Sequence, residues 1–280
     1  MFATAIIVWR EVLEAALVVG LVLAAARDLR GRGLWVGSGI AVGSSGAVIV
    51  AMFAGAIAAA AQGMGQEFFN AMILFAAVGM LGWHNVWMAR HGAGLANEIN
   101  AVGRDVITGS RPQYVLATVV ALAVLREGSE LVLFLYGIAV AQQEQASSMW
   151  IGALLGFAVG AGMGLLLYLG LLRLASRYVF KVTGWLISLL AAGMAAQGAG
   201  FLVQADLLPS WGQPLWDTSG LLSLDSLMGR LFQALVGYID RPSGMQVIFY
   251  AVTLAAILIL SRLFGSVSTR PPSLATHVGA

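Results

Sequence analysis

The string Arg10-Glu11-Val12-Leu13-Glu14 recurs 116 residues later as Arg126-Glu127-Gly128-Ser129-Glu130. If each string is helical, its two glutamates stand three residues apart and share a face. The arginine stands four residues from the second glutamate, within reach of an ion pair. Four carboxylates against two guanidiniums leave an excess of negative charge. Oxygen ligands of this kind can hold a hard cation, and paired carboxyls can act as acid and base. The plainer reading is that the charges pair with one another and fix the register of packed helices.

Other residue types narrow the chemistry. The chain has no cysteine, which removes thiolate metal sites, cysteine-ligated clusters, disulfides and cysteine nucleophiles. A metal would have to be held by oxygen or imidazole. No H-E-x-x-H string and no serine–histidine arrangement is present, so an intramembrane hydrolase finds little support.

The elements that must position the two motifs are apolar. Of 280 residues, 60% are hydrophobic and 10% charged, against about 25% charged in a soluble domain. The mean hydropathy is +0.88. A lipid bilayer is therefore the expected solvent. The pI near 9.2 does not point to nucleic acid, because the basic residues fall in short loops at one membrane face. The first apolar run carries Arg10, Glu11 and Glu14, which the h-region of a cleaved signal would not tolerate, so it reads as a retained span.

A helix needs about 20 residues to cross the hydrocarbon core. Seven segments qualify, at roughly 3–26, 34–61, 67–89, 113–141, 149–172, 182–205 and 245–264. The expected fold is all-α: a polytopic membrane protein with one transmembrane domain over 1–264 and a cytoplasmic tail over 265–280. If the loops after the first, third, fifth and seventh spans are cytoplasmic, 11 of the 15 Lys and Arg lie inside. That puts the N-terminus outside and the C-terminus in the cytoplasm. The segment 206–244, with Pro209, Pro214 and Pro242, falls outside and is broken. Within it Leu224, Leu227, Met228, Leu231, Phe232 and Leu235 mark one face of a short amphipathic helix, with Ser223 as its N-cap and Gly237 at its end.

The repeated motif divides the chain into repeat one, 1–112, and repeat two, 113–205, with the seventh helix outside both. Three spans per unit is an odd number, so the units have opposite topology, a recurring transporter plan with its site near the midplane. At 1.5 Å per residue, Glu11 and Glu14 lie roughly 12–16 Å into their helix, and Glu127 and Glu130 lie near the middle of theirs. Ionisable groups at such depth cost about 2.5–3.5 kcal/mol each on insertion scales. Two such sets at matching depth need one another or a third party. A divalent or trivalent cation would relieve the excess of four negative charges over two positive.

Taken together, these residues resemble a family, the oxidase-dependent iron permeases, whose hallmark is R-E-x-x-E in the first and fourth of seven transmembrane helices. The outer stretch Leu215-Trp216-Asp217-Thr218-Ser219 through Leu222-Ser223 to Gly237-Tyr238 and Pro242-Ser243 is also similar to the family. The resemblance implies a bacterial cytoplasmic-membrane protein that transports ferric iron as substrate rather than as a permanent cofactor. It implies Glu11, Glu14, Glu127 and Glu130 as metal ligands and Arg10 and Arg126 as their motif arginines. It also implies a partner protein outside the membrane that oxidises or delivers iron. A related branch is associated with lead, so another heavy metal cation stays open as cargo, as does assembly with further copies of the chain.

Weaker signals remain. His84, in Trp83-His84-Asn85 of the third span, is a candidate path residue, although hydrogen bonding to a neighbouring helix is the plainer role. Asp217 and Asp225 are the best candidates for an entrance among the outer acids, which also include Glu67, Glu144, Asp206 and Asp240. Gly39 and Gly43 on the second span, and Gly152, Gly156, Gly160 and Gly164 on the fifth, suggest close helix packing. Gln197 and Gln204 on the sixth span are as consistent with packing as with a path.

Overall fold

In the computed structural model, residues 1–60, 65–142, 146–169, 176–212 and 214–265 are described. They form eight helices and no strand. These are α1 (Phe2–Ala25), α2 (Arg32–Ala60), α3 (Gln66–Ile107), α4 (Tyr114–Gln142), α5 (Ala146–Tyr168), α6 (Ser176–Gln204), α7 (Leu227–Val236) and α8 (Gly244–Gly265). Five contain stretches long and apolar enough to cross a membrane: Arg32–Ile57, Gln66–Trp87, Ala146–Tyr168, Gly184–Gln204 and Gly244–Leu263. Helices α1 and α4 are 24 and 29 residues long, but each carries the three charges of one motif near its middle.

Two features differ from expectation. The third helix does not end near residue 89 but runs 42 residues to Ile107. No proline interrupts it before Pro112, and its distal part keeps an apolar stripe. Ile99 and Val106 pack with Val22 of α1 and its C-cap Ala26 and with Leu116 and Val120 of α4. The chain then turns at Gly109, φ 78°. The outer helix starts three residues later than expected, and its N-cap is Ser226 rather than Ser223. Ser226 Oγ accepts the Gly229 N–H at 2.9 Å, while the Ser223 carbonyl accepts the Ser226 N–H in the preceding turn. Gly237 ends the helix as expected, in the left-handed region at φ 68°. Helix α7 buries Gly229 and Ala234 and leaves Leu227, Met228 and Phe232 exposed. Of the expected tail 265–280, Gly265 ends α8 and 266–280 lie outside the described residues, as does Glu144.

Packing is reciprocal between the two halves. Helix α1 packs most extensively on α5, α2 on α4 and α3 on α6, and α1 also meets α4. Small residues make the close approaches. A Cβ placed on Gly39 or Gly43 would strike the carbonyl oxygens of Ala117 and Ala121, and one placed on Gly152 or Gly156 would strike those of Met1 and Ala5. Met1 and Ala5 lie 116 residues before Ala117 and Ala121, the same interval that separates the two motifs. The α5-on-α1 contact therefore repeats the α2-on-α4 contact in register, with backbone against backbone.

Two cores flank the middle of the bundle. At one end, Val22, late in α1, and its C-cap Ala26 pack against Leu116 and Val120, early in α4, so these helices run antiparallel. Arg27, Arg30, Arg104 and Arg111 are exposed at that end. In the other half, Ala3 and Ile7 of α1, Leu74, Ala77 and Leu81 of α3, Phe134 and Ile138 of α4, and Ala234 of α7 form one buried apolar cluster, joined by residues of α6.

Candidate metal centre

Between those two cores the motifs meet. Burial forces the charged groups of α1 and α4 to turn toward each other and toward α3, since lipid would leave them unsolvated. Arg10, Glu11, Glu14, Glu127 and Glu130 are 2–9% exposed, and His84 of α3 is 1% exposed. Helical spacing places Arg10 over its own glutamates. Its Nε is ion-paired with Glu14 Oε1 at 2.9 Å, and its Nη1 donates to Glu11 Oε1 at 3.0 Å.

The second motif is built alike but more openly. Arg126 Nε donates to Glu130 Oε1 at 3.1 Å and lies 4.0 Å from Glu127 Oε1. Its side chain is 35% exposed, and its guanidinium sits 4.1 Å from the centroid of the Trp87 ring, in a cation–π contact.

His84 joins the two halves. Its Nε2 hydrogen-bonds Glu14 Oε2 at 3.0 Å, and its Nδ1 contacts Glu130 Oε2 as an ion-pair contact that lacks hydrogen-bond geometry. The imidazole thus spans the second glutamate of each motif. The helix carrying it is held to α6 by Asn85, whose Nδ2 donates to Ser188 Oγ at 2.8 Å and to the Gly184 carbonyl at 3.3 Å.

The remaining carboxylate oxygens point inward without partners. Glu11 Oε2 and Glu127 Oε2 are buried and accept no hydrogen bond among the described residues. Single oxygens of Glu11, Glu127 and Glu130 lie within 4.8 Å of one another, and so do single ligand atoms of Glu14, His84 and Glu127. Glu127 belongs to both triplets. Buried unpaired carboxylate oxygens are costly, and a hard cation is the partner that such a donor set accepts best.

The other expected residues lie elsewhere. Asp217 is half exposed in the outer segment. Arg241 Nε pairs with its Oδ2 at 3.0 Å, and Ser219 donates to its Oδ1 from N at 3.0 Å and from Oγ at 2.6 Å. These donors hold its carboxyl down to about 2. Asp225, Glu67 and Asp206 are exposed, and Asp240 is half-buried, its Oδ2 accepting from the Leu224 N–H at 3.5 Å. Gln197 is half-buried on α6, and Gln204 is exposed at its end. Sequence reasoning did not single out Trp87 or Glu98. Trp87 lies three residues beyond His84, so helical spacing sets it on the same face. Glu98 sits on the part of α3 that was expected to be a loop.

The geometry can be set beside known proteins. A sequence profile described as the iron permease FTR1 family matches residues 1–270. A protein named ferrous iron permease EfeU from Escherichia coli O6:K15:H31 is 31% identical over 263 residues, covering 92% of this chain and 94% of the relative. A protein of the same name from Yersinia pestis is 30% identical over 264 residues, covering 93% of each. No solved structure matches. With five apolar helices of membrane length, the chain is a multi-pass membrane protein, and it belongs to the iron permease FTR1 family.

Proposed function

We propose that this protein moves iron across the bacterial cytoplasmic membrane, binding it at the cluster of Glu11, Glu14, Glu127 and Glu130, with Arg10 and Arg126 orienting the carboxylates. The observation that carries this reading is the meeting of both motifs in one buried cluster with two unpartnered carboxylate oxygens. His84 is part of the same site, either as a nitrogen ligand or as the clamp that sets the two second glutamates apart. We further propose seven spans, α1 to α6 and α8, built as a 3+3 inverted repeat plus one. The register-matched glycine contacts support that plan. The N-terminus lies outside, in keeping with the exposed arginines at the opposite end of α1.

Ferric iron is the form we assign to the site, because a predominantly carboxylate donor set favours the harder ion. The name of the relatives, ferrous iron permease, favours ferrous iron as the species presented to the protein. Both hold if an extracytoplasmic partner oxidises iron as it is handed over.

The test is radio-iron uptake in cells expressing wild type or Glu11→Gln, Glu14→Gln, Glu127→Gln or Glu130→Gln, with lead and manganese as competitors and membrane levels checked. Loss of uptake in the variants at normal levels is expected. Wild-type uptake in all four ends the assignment.

A further inference from the structure

Two cavities touch the glutamate cluster. One, about 440 Å³, lies among α1, α2, α4 and α5, and beyond Glu11 and Glu127 its walls are almost wholly apolar, among them Val12, Leu23, Phe157 and Leu165. The other, about 370 Å³, lies among α1, α3 and α4. Glu14 and Glu127 line its deep part, Arg126 and Trp87 form one wall, and Glu98 is the further charged group on its lining. A water occupies ~30 Å³ in the liquid, so this second space is large enough for a cation with part of its hydration shell.

The opposite side of the cluster is packed with buried apolar residues. Ala3, Ile7, Leu74, Phe134 and Ile138 are at most 1% exposed and close the bundle with apolar side chains. The α1–α3–α4 cavity lies toward the end where Arg27, Arg30, Arg104 and Arg111 are exposed, the end that the positive-inside rule makes cytoplasmic.

We propose that this cavity is the path by which the cation leaves the glutamate cluster for the cytoplasm, and that Glu98 is the first carboxylate it meets on the way out. The proposal rests on the permease reading above. A cation leaving Glu127 must pass the guanidinium of Arg126, the less buried of the two motif arginines. Stacking on Trp87 and pairing with Glu130 hold that guanidinium against the wall. Glu98 supplies the negative charge that offsets it on the cytoplasmic side of the cavity. In a cleft with low-dielectric walls, a single charge changes local cation concentration and passage rates strongly. Helix α3 continues past the membrane-length stretch that ends at Trp87, and this continuation is what brings Glu98 to the cavity.

The cysteine-free chain allows a direct test. Val102→Cys lines the proposed path, and Ile138→Cys lies in the apolar seal. A membrane-impermeant cationic thiol reagent should modify Val102→Cys in inside-out vesicles roughly tenfold faster than in right-side-out ones, and iron should slow that reaction. Ile138→Cys should stay unreactive from both sides. Glu98→Gln should lower iron uptake roughly tenfold, with iron binding to the purified protein retained and with uptake recovered in Glu98→Asp. Faster labelling of Val102→Cys from the right-side-out face, wild-type uptake in Glu98→Gln, or loss of iron binding in that variant overturns the proposal. A wild-type protein that neither binds nor takes up iron overturns the permease reading instead.

Discussion

Adding one methyl group at Gly43 and, separately, at Gly156 tests whether the two halves of the bundle are built on one contact. A Cβ at Gly43 would stand 2.6 Å from the Ala121 carbonyl oxygen and 2.8 Å from Val124 Cβ. At Gly156 it would stand 2.9 Å from both the Trp9 backbone nitrogen and Val8 Cβ. Carbon atoms rest at about 3.5–4.0 Å, so each helix pair must part by roughly 0.7 Å or more. The nearest atoms are backbone or Cβ, and no rotamer change relieves the clash. Overpacking of this kind costs about 1–3 kcal/mol. The gain in helix propensity from Gly to Ala, about 1 kcal/mol, is shared by the control Gly162→Ala, where nothing lies within 4 Å. The difference from the control is therefore the steric cost alone. At roughly 2 °C per kcal/mol for a chain of this size, both variants should melt about 2–6 °C below Gly162→Ala in detergent, by similar amounts. Because α1 and α4 carry the glutamates, both should also lose iron uptake. Melting that matches the control in either variant would refute the shared-contact reasoning.

Other outcomes follow from the cluster and the outer segment. Arg10→Lys should impair uptake more than Arg126→Lys, because Arg10 holds two glutamates, one by a hydrogen bond and one by an ion pair, through two nitrogens in a fully buried setting, whereas Arg126 is partly exposed and hydrogen-bonds one. Loss of one buried charged hydrogen bond, about 1.5–3 kcal/mol, corresponds to roughly 10- to 100-fold, and equal uptake rates in the two variants would count against the asymmetry. Asp217, held down to about 2 by Ser219 and Arg241, contributes stability above its ordinary range that is lost as pH falls through about 2. Asp217→Asn should therefore speed proteolysis of the outer segment at pH 6 and match wild type near pH 2. Gly237→Ala should loosen α7, since φ 68° strains any side chain and the Gly193 Cα lies against the new methyl. Faster hydrogen exchange over 227–236 would report it.

Much of this was legible in the sequence because lipid imposes strict rules. Apolar length marked the helices, and the ends of α1, α2, α4 and α8 fall close to the boundaries that hydropathy suggests. The glycine stripes marked the second and fifth spans as closely packed, because only small residues let backbones touch, but which helices they pack on came only from the fold. What stayed hidden depended on contacts rather than patterns. His84 had one plain explanation as a packing residue, and only the crossing of α1, α3 and α4 sets its two nitrogens against Glu14 and Glu130. The continuation of α3 past Trp87 was masked by its polarity, which suits a helix leaving the bilayer as well as it suits a loop. Ser223 and Ser226 are both competent caps by type, and the pattern does not separate them; in the fold Ser226 Oγ accepts the Gly229 N–H while the Ser223 carbonyl closes the preceding turn.

The central claim is that acidic turns from two antiparallel helices form one cation site. Iron binding to purified protein measures it directly, by calorimetry or by metal retained after gel filtration, in wild type, Glu11→Gln, Glu127→Gln and the double variant. If one ion bridges both helices, each single change should abolish most of the binding and the second should add little. Independent, additive losses, or full binding in either single variant, would contradict a shared site.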